Sequence, residues 1–485
     1  MAWARRAERP CRLQTGAGTI CTVTLPKTGG VGSSSVVVLG GGISGLAAAH
    51  RLATLGTGQV LVVESSQRLG GKISAVELAG HFLDAGPDSF ITRNPAGTRL
   101  CAELGLAGEL VAPAPLGALL WVRGRLRPLP KDLALGVPRQ MSSLAASGAV
   151  SPLGLARAAL EGILPIKIRQ GDLSVGELVR QRFGDEVFEA VVDPLLSGIY
   201  AGNADRLSAE SVVPHLVEAL RRGRHLMSLD APKTSGPAFL TLRGGLTQLV
   251  DALAGTLPPG SIQLGVAAVG LSRAEAGYRV ALSSGKEVET DAVVLATPPS
   301  VTASLLKSLS TPADQLLSGI ESVPVATVFL MYSPGRVTLP SATGFLVPRR
   351  DARLMVGCTF LSQKWPHLDG DGRTVIRCAV GRDGYSSWQG LDDGQLVRAV
   401  RTELQEATGI GEDPEAVAVH RHCDGMPQYR VGHKERVEAI EASLVALPGL
   451  ALAGAAYHGV GLPACIASGR RAAELAAGIL RTVAA

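Results

Sequence analysis

Aromatic residues, excess charge of one sign and paired cysteines are all scarce in this chain of 485 residues. The formal net charge is +5, which is too weak to indicate a nucleic-acid partner and mildly favours anionic small molecules. The seven cysteines are scattered and form no Cys-x-x-Cys pair, so the sequence predicts neither a disulfide framework nor a metal site. We therefore expect the protein to be located in a reducing compartment, the cytoplasm.

No hydrophobic run is typical of a transmembrane helix. Residues 442–469 lack Asp, Glu, Lys and Arg and are numerous enough to span a bilayer, but they contain two prolines and five glycines. Residues 1–34 carry four arginines and few acids, as import signals do, although Glu8 and Pro10 interrupt any amphipathic helix. We predict a disordered extension or a mis-assigned start over 1–34, and a targeting signal is the alternative.

Glycines follow the first clear strand of the chain. The apolar, β-branched run at 35–39 predicts a buried parallel strand, and 43–55 has helical spacing with alanines on its packed side. A second apolar run at 60–63 ends at Glu64. Strand, glycine turn, helix and strand in this order predict a βαβ unit of a Rossmann-like domain.

The glycine turn has the spacing of a dinucleotide-binding motif. It reads Gly40-Gly41-Gly42-Ile43-Ser44-Gly45. Glycines at these positions permit a tight turn, close approach of the backbone to a pyrophosphate, and packing of the helix on the strand. Glu64 lies 19 residues after Gly45, is followed by Ser65, and is the acidic group expected to hold ribose hydroxyls.

The residues after Glu64 favour FAD over NAD. Residues Arg68-Leu69-Gly70-Gly71-Lys72 resemble the R-x-G-G extension of the amine-oxidase-like flavoprotein superfamily, whose glycines approach the diphosphate. Residues 242–246 and 291–299 resemble later motifs of the same superfamily. The resemblance implies FAD as the cofactor. It also implies that the backbone of Val266, in the strand before 291–299, lies against adenine; a core valine is the alternative.

The uncharged C-terminal stretch fits the same superfamily. It predicts a strand at 450–453, a loop at 454–461 and a helix that begins at Pro463 and continues through 464–477. By resemblance, the flavin ring is contacted by the backbone of Val460, Gly461 and Leu462. The dipole of that helix would stabilise the negative charge of the reduced ring.

Four further segments resemble the porphyrinogen oxidases, which comprise the protoporphyrinogen oxidases and their bacterial relatives that oxidise coproporphyrinogen III. These segments are residues 84–90, 196–203, 426–433 and 459–466. The resemblance covers 36–480 and assigns four residues to cofactor binding: Gly86, Pro87, Asp88 and Ser89. One position departs from the family, because His422 stands where a tryptophan usually lies near the cofactor.

The residues at 86–90 and 459–465 are closer to bacterial than to animal relatives. We therefore predict oxidation of coproporphyrinogen III to coproporphyrin III in haem biosynthesis, with protoporphyrinogen IX oxidation as the alternative. A different amine-oxidase-like flavin oxidase is a further alternative, although an amine oxidase needs a cage of paired aromatics and aromatics are 4% of this chain. A flavin-binding protein without enzymatic activity is the remaining class.

The resemblance also implies a mechanism. Six electrons leave the porphyrinogen in three two-electron steps, with dioxygen as acceptor and hydrogen peroxide as product. Gly198 matches a glycine whose carbonyl faces the pyrrole NH groups, and Arg93 matches a basic residue near a propionate. A helix-ending glycine and a solvated surface arginine are the alternatives. His433 and His458 are interpreted as structural.

The predicted fold class is α/β and α+β, with a Rossmann-like FAD-binding domain, a mixed-sheet substrate domain and an inserted helical lobe. The predicted FAD-binding parts are 35–91, 239–300 and 443–485, the lobe is 92–210, and the substrate-domain parts are 211–238 and 301–442. In the lobe, Leu153, Leu155 and residues 163–166 would either form an apolar rim for peripheral membrane contact or line the substrate channel. The sequence leaves open monomer or homodimer, and a hand-off of product to ferrochelatase.

Overall fold

The computed structural model describes residues 21–24, 34–134, 136–166, 170–229 and 236–484. Its strands are β1 Cys21–Thr24, β2 Ser35–Leu39, β3 Gln59–Val63, β4 Ala75–Leu78, β5 His81–Asp84, β6 Phe90–Ile91, β7 Leu110–Val111, β8 Leu119–Val122, β9 Arg125–Pro128, β10 Leu133–Ala134, β11 Val137–Pro138, β12 Phe239–Leu242, β13 Ile262–Gln263, β14 Ala268–Arg273, β15 Tyr278–Leu282, β16 Lys286–Thr290, β17 Ala292–Leu295, β18 Ser322–Tyr332, β19 Gly344–Leu346, β20 Met355–Phe360, β21 Thr374–Val380, β22 Ala416–Pro427 and β23 Leu450–Leu452.

Its α-helices are α1 Ile43–Leu55, α2 Ala96–Glu103, α3 Met141–Ser147, α4 Pro152–Ala159, α5 Val175–Phe183, α6 Asp185–Val187, α7 Asp193–Tyr200, α8 Ala209–Val212, α9 Pro214–Arg221, α10 Thr247–Gly255, α11 Pro299–Leu306, α12 Thr311–Ser318, α13 Leu361–Lys364, α14 Asp393–Thr408, α15 His433–Leu444 and α16 Leu462–Ala484. A π-helical segment, Phe188–Val192, joins α6 to α7. Short 3₁₀ helices lie at Ala107–Glu109, Leu160–Gly162, Leu226–Ser228, Arg349–Asp351, Pro366–Leu368 and Ser387–Gly390.

A parallel sheet in the strand order β13-β3-β2-β17-β23 forms the centre of the predicted nucleotide-binding domain. Val36, Val37 and Val38 are 0% exposed, because the sheet is covered on both faces as its apolar, β-branched strands require. α1 and α16 pack together on one face. α1 has the bounds that the helical spacing predicted, and the fold class is confirmed.

A smaller antiparallel sheet of β14, β15 and β16 lies beside the parallel sheet. β1 adds a parallel strand to β16. This strand lies in the segment predicted to be disordered, so that prediction is wrong for Cys21–Thr24. Its β-branched residues suit an extended conformation, and β16 offers them an unpaired edge. The other residues before 34 lie outside the described part of the chain.

The predicted substrate domain contains a mixed sheet in the order β22-β18-β21-β20-β19-β8-β9, in which β8 pairs with β19 in parallel. β8 and β9 come from residues predicted to belong to the helical lobe, so that boundary is wrong for 119–128. A local hairpin pattern does not reveal which distant strand its edge will meet. Here Leu119 pairs with Phe345, far along the chain.

Helices α3 to α9 form the helical lobe around one apolar core, which includes Phe183 and Val191. The lobe continues past residue 210, because Leu216 and Leu220 of α9 and then Leu226 join the same core. The prediction that 211–238 begins the substrate domain is therefore wrong for 211–229.

The apolar residues of the lobe that were predicted to form a rim divide into two kinds. Leu153 and Ile163 are 81% and 78% exposed, whereas Leu155 and Ile166 pack against the lobe core. Within the described ranges, no helix combines the length and the apolarity needed to cross a membrane.

Helices α11, α12 and α15 pack against the nucleotide-binding sheet. Leu306, Leu317 and Ile440 share one core with Val37 of β2. α12 and most of α11 and α15 fall within 301–442, so the prediction that this whole part belongs to the substrate domain is wrong for them. Helical periodicity predicts an apolar face but does not identify the sheet that it covers.

Candidate cofactor and substrate site

The turn between β2 and α1 brings backbone atoms into close contact. Gly40 has a φ of +105°, and a Cβ placed there would lie 2.6 Å from the Ala296 carbonyl oxygen. A Cβ at Gly45 would lie 1.9 Å from the Gly40 carbonyl oxygen, so the helix rests directly on the end of the strand. Ile43 and Ser44 begin α1 and are buried on its packed side. This turn therefore presents backbone to a ligand.

Gly42 faces open space instead. A Cβ placed at Gly42 would lie 4.0 Å from the Gly71 Cα, which would be its nearest contact among the described residues. Gly42 forms a bridge with Gly70, whose N–H donates to the Gly41 carbonyl at 2.8 Å. The two predicted diphosphate loops therefore meet, and they leave a surface of bare backbone at the N-terminus of α1, where free amides and the helix dipole favour phosphate.

Glu64 lies directly after β3, beside that surface. Its Oε2 accepts a hydrogen bond from the Gly41 N–H at 2.7 Å. Its Oε1 accepts from the Ser66 N–H at 2.8 Å and from the Ser65 hydroxyl at 3.3 Å. A carboxylate has about four acceptor positions, so this orientation leaves acceptor capacity for ribose hydroxyls.

Val266 lies next to Glu64, as an adenine-contacting residue would. It lies in the loop between β13 and β14, so the prediction that it belongs to a strand is wrong. Its N–H donates to the Glu64 carbonyl at 3.0 Å. Its own carbonyl accepts no hydrogen bond from the described residues. The backbone group available to an adenine amino group is therefore this carbonyl.

Arg68 shapes the second glycine loop. Its guanidinium donates to the carbonyls of Leu69 and Ile73, both at 3.1 Å, and of Gly71 at 2.8 Å. Lys72 follows this loop. Its side chain is exposed to solvent, but nearby protein atoms partly desolvate its ammonium group. The resulting desolvation lowers the pKa of the Lys72 ammonium. An acid after β3, bare backbone at α1 and a cation beside the second glycine loop together fit the ribose and diphosphate of FAD.

The loop at 86–89 packs tightly against the same cradle. A Cβ at Gly86 would lie 1.8 Å from the Lys72 carbonyl oxygen, so this glycine is required for the approach. Pro87 and Ser89 are partly buried. The predicted motif at 242–246 lies beside this segment, where the Leu246 N–H donates to the Asp84 carboxylate at 3.0 Å.

Asp88 uses its carboxylate to anchor this loop to the substrate domain. Its Oδ2 accepts hydrogen bonds from Lys364 Nζ at 2.7 Å and from the Trp365 indole at 3.1 Å, and Arg377 Nη1 lies 3.6 Å from Oδ1. Burial alone would raise the pKa of Asp88, but the charges of Lys364 and Arg377 outweigh it and lower that pKa. Neither cation was predicted, because no local spacing signals a pair 276 residues apart.

The predicted flavin-facing loop lies between β23 and α16. The Cys465 N–H donates to the Gly461 carbonyl at 3.0 Å, so helical hydrogen bonding begins at Gly461. Val460 packs against the lobe core, and Leu462 is buried in the cluster behind α1. The helix N-terminus and this loop thus lie between the nucleotide domain and the lobe.

Gly198 lies in the last turn of α7, a helix of the lobe. It is exposed, and a Cβ there would lie 3.1 Å from Leu346 Cδ2. The Tyr200 ring lies 6.0 Å from the Tyr429 ring, and the Tyr429 hydroxyl accepts a hydrogen bond from the Gly459 N–H at 2.7 Å. The structure therefore brings the end of α7 close to the flavin-facing loop.

Arg93 is exposed, and its guanidinium makes no hydrogen bond or ion pair with the described part of the chain. Burial and, secondarily, the Arg93 charge lower the pKa of His215, in the first turn of α9. The described contacts do not connect Arg93 to Gly198. An exposed guanidinium without a partner among the described residues suits a carboxylate ligand.

His422 lies on β22, beside the cradle. Its ring makes an edge contact with His420, with 4.4 Å between centroids, and its Nε2 is buried without a partner among the described residues. Burial, then His420, Lys72 and Arg68, lower the pKa of His422 to about 4. The imidazole of His422 is therefore neutral at pH 7.

The other two histidines that the sequence singled out have partners within the fold. His433 is buried, and its Nε2 lies 3.3 Å from the Tyr457 carbonyl. Burial lowers the pKa of His433 to about 4. His458 Nε2 lies 2.7 Å from Glu441 Oε1. These contacts support the structural interpretation.

Comparisons with known proteins agree with this geometry. Residues 43–477 match the family model of flavin-containing amine oxidoreductases. The chain is 36% identical to the coproporphyrinogen III oxidase of Bacillus subtilis, over 91% of this chain and 97% of that protein, and 34% identical to the protoporphyrinogen oxidase of Bos taurus, over 90% and 97%. A crystal structure from Exiguobacterium sp. 255-15 has a TM-score of 0.83 and 32% identity, over 92% of this chain and 99% of that one. The chain therefore belongs to the flavin-containing amine oxidoreductases and, within them, to the family of the coproporphyrinogen III and protoporphyrinogen oxidases.

Proposed function

We propose that this protein is an FAD-dependent oxidase that converts coproporphyrinogen III to coproporphyrin III, with dioxygen as acceptor and hydrogen peroxide as product. The observation that carries the proposal is the match to a coproporphyrinogen III oxidase across nearly the whole of both chains. The cradle of bare backbone supports FAD, and the proximity of α7 to the flavin-facing loop supports a substrate that contacts both.

Bound FAD supplies a two-electron acceptor for the removal of hydrogen from carbon. The role of this chain is to hold the macrocycle against it in a productive orientation. Because Gly198 has no side chain, the ring can approach α7, and the Gly198 carbonyl can accept from pyrrole NH groups. Arg93 would pair with a propionate, and the N-terminus of α16 would stabilise negative charge on the reduced cofactor.

The test is a direct comparison of the two porphyrinogens. FAD-loaded protein is mixed with coproporphyrinogen III or protoporphyrinogen IX in air, and porphyrin fluorescence and hydrogen peroxide are followed together. We expect porphyrin from both and a faster rate with coproporphyrinogen III. Absence of porphyrin above the spontaneous rate with either compound would refute an oxidase of porphyrinogens. A faster rate with protoporphyrinogen IX would refute the substrate preference.

We also propose that the lobe makes peripheral contact with a membrane. Leu153, Leu160 and Ile163 are 81%, 43% and 78% exposed and lie on one stretch of the lobe. Sedimentation with anionic lipid vesicles, compared between the wild type and a Leu153→Ser, Ile163→Ser variant, tests this contact. Equal sedimentation of both proteins would reject it. The hand-off to ferrochelatase and the choice between monomer and homodimer stay predictions.

A further inference from the structure

The segment 426–433, which resembles a porphyrinogen oxidase motif in the sequence, contacts both sides of the site. Gln428 is 1% exposed, and its Nε2 donates to the Tyr200 carbonyl at 2.9 Å and to the Met426 carbonyl at 3.0 Å. The Tyr200 carbonyl belongs to the last turn of α7, where helix carbonyls lack intrahelical donors. Gln428 therefore holds the end of the helix that carries Gly198.

The next residue, Tyr429, holds the flavin-facing loop on the opposite side of the site. The Tyr429 hydroxyl donates to the Ala455 carbonyl at 2.6 Å and accepts from the Gly459 N–H at 2.7 Å. Tyr429 is 1% exposed, and its ring stacks on His433 with 4.0 Å between centroids and 12° between planes. One hydroxyl thus joins both arms of the flavin-facing loop.

Other contacts hold other parts of the loop: Ser468 Oγ accepts from the Gly454 N–H at 3.1 Å, and His433 Nε2 lies 3.3 Å from the Tyr457 carbonyl. The Tyr429 hydroxyl is the group that holds the Gly459 N–H. Gly459 has a φ of +134°, and a Cβ at this position would lie 2.7 Å from the Ala464 Cβ, at the start of α16. The backbone of a glycine is conformationally free, so a hydrogen bond to its N–H restricts the conformations that it can adopt. The hydrogen bond from Gly459 therefore sets the direction in which the following peptides, and the N-terminus of α16, face.

We propose that Tyr429 and Gln428 are a pair of positioning residues. Tyr429 sets the flavin-facing loop against the FAD ring, and Gln428 sets the end of α7 against the substrate; the second half rests on the proposed function. Because the two residues are adjacent and buried, one short segment determines the spacing between the cofactor and the porphyrinogen. Neither side chain touches the reacting atoms.

The test of Tyr429 is Tyr429→Phe, which keeps the stacked ring and removes the hydroxyl. Loss of its hydrogen bonds should weaken FAD binding about three- to tenfold. It should also shift the FAD midpoint potential, because the loop faces the part of the ring that gains charge on reduction. A tenfold difference between the oxidised and reduced forms corresponds to about 30 mV.

The matched control is Tyr278→Phe, which removes a hydroxyl that donates to the Pro448 carbonyl at 2.9 Å, outside the site. Both variants should lose similar thermal stability. Tyr278→Phe should keep wild-type FAD affinity and potential. If Tyr429→Phe matches Tyr278→Phe in both FAD measurements, Tyr429 is merely structural and the proposal is overturned.

The test of Gln428 uses Gln428→Met, with Gln428→Asn, which keeps the amide but shortens its reach, as the second variant. We expect the KM for coproporphyrinogen III to rise at least threefold while FAD affinity is unchanged. A rise in the FAD dissociation constant equal to that of Tyr429→Phe would overturn the division of roles. If the wild type oxidises no porphyrinogen, the proposed function fails, whereas the FAD measurements on Tyr429 still decide the first half.

Discussion

Replacement of Gly42 by alanine should affect FAD binding by the cradle without reducing the stability of its fold. Gly42 has φ −72° and ψ 175°, which any residue adopts, and its Cβ would enter open space, with the Gly71 Cα at 4.0 Å. Gly→Ala at such a position stabilises a protein by about 0.4–1 kcal/mol, because the unfolded chain loses freedom. We therefore expect the FAD-free Gly42→Ala protein to be as stable as the wild type or slightly more stable.

FAD binding should change in the opposite direction. The added methyl group would occupy the space that a diphosphate needs for close approach to the backbone. Overpacking of this kind costs about 1–3 kcal/mol, which corresponds to a rise of about 5- to 150-fold in the dissociation constant. The affinity is measured by titrating FAD-free protein with FAD and following flavin fluorescence, and the stability by urea unfolding of the FAD-free protein.

Gly45→Ala is the control for this experiment. Its Cβ would lie 1.9 Å from the Gly40 carbonyl oxygen, so the strand and helix must move apart. We expect a loss of stability of about 1–3 kcal/mol even without FAD. A Gly42→Ala protein that binds FAD as tightly as the wild type would refute the assignment of this surface to the diphosphate.

Three further predictions concern titratable residues. Glu64→Ala should raise the FAD dissociation constant about tenfold or more, because a hydrogen bond to a charged group contributes about 1.5–3 kcal/mol; a variant that purifies yellow and fully loaded would contradict this role. Asp88→Asn should cost about 3–5 kcal/mol in urea unfolding at pH 7, because Lys364 and Arg377 lose a buried partner. In the wild type, the lowered pKa of Asp88 means that this stability is present above the ordinary carboxyl pKa of about 4 and is lost as the pH falls below it. His422 has a pKa lowered from 6.5 to about 4, so its neutral form stabilises the fold above pH 6.5, and that contribution is lost as the pH falls toward 4. His422→Trp should therefore lose less stability between pH 7 and pH 4.5 than the wild type, and an equal loss in both proteins would count against this assignment.

The cofactor cradle was predictable because its signals are local. A β-branched run, a glycine turn and alanines at helical spacing predicted β2 and the bounds of α1, and the apolar run before Glu64 predicted β3. Each of these elements depends on residues within a few positions of one another, so the sequence alone contains the information. The positions of the glycines and of Glu64 in the cradle follow from the same unit.

Long-range pairing, by contrast, was decided by the tertiary structure. The sequence did not reveal that β8 and β9 would join the substrate sheet or that α15 would cover the nucleotide-binding sheet, because an apolar face can pack against many partners. The same holds within the site. Asp88 was predicted as a cofactor residue, but its carboxylate is held by Lys364, and the grip of Tyr429 on the flavin-facing loop depends on a hydroxyl that meets a backbone amide 30 residues away. Sequence spacing determines what each segment can form, and three-dimensional packing determines which groups meet.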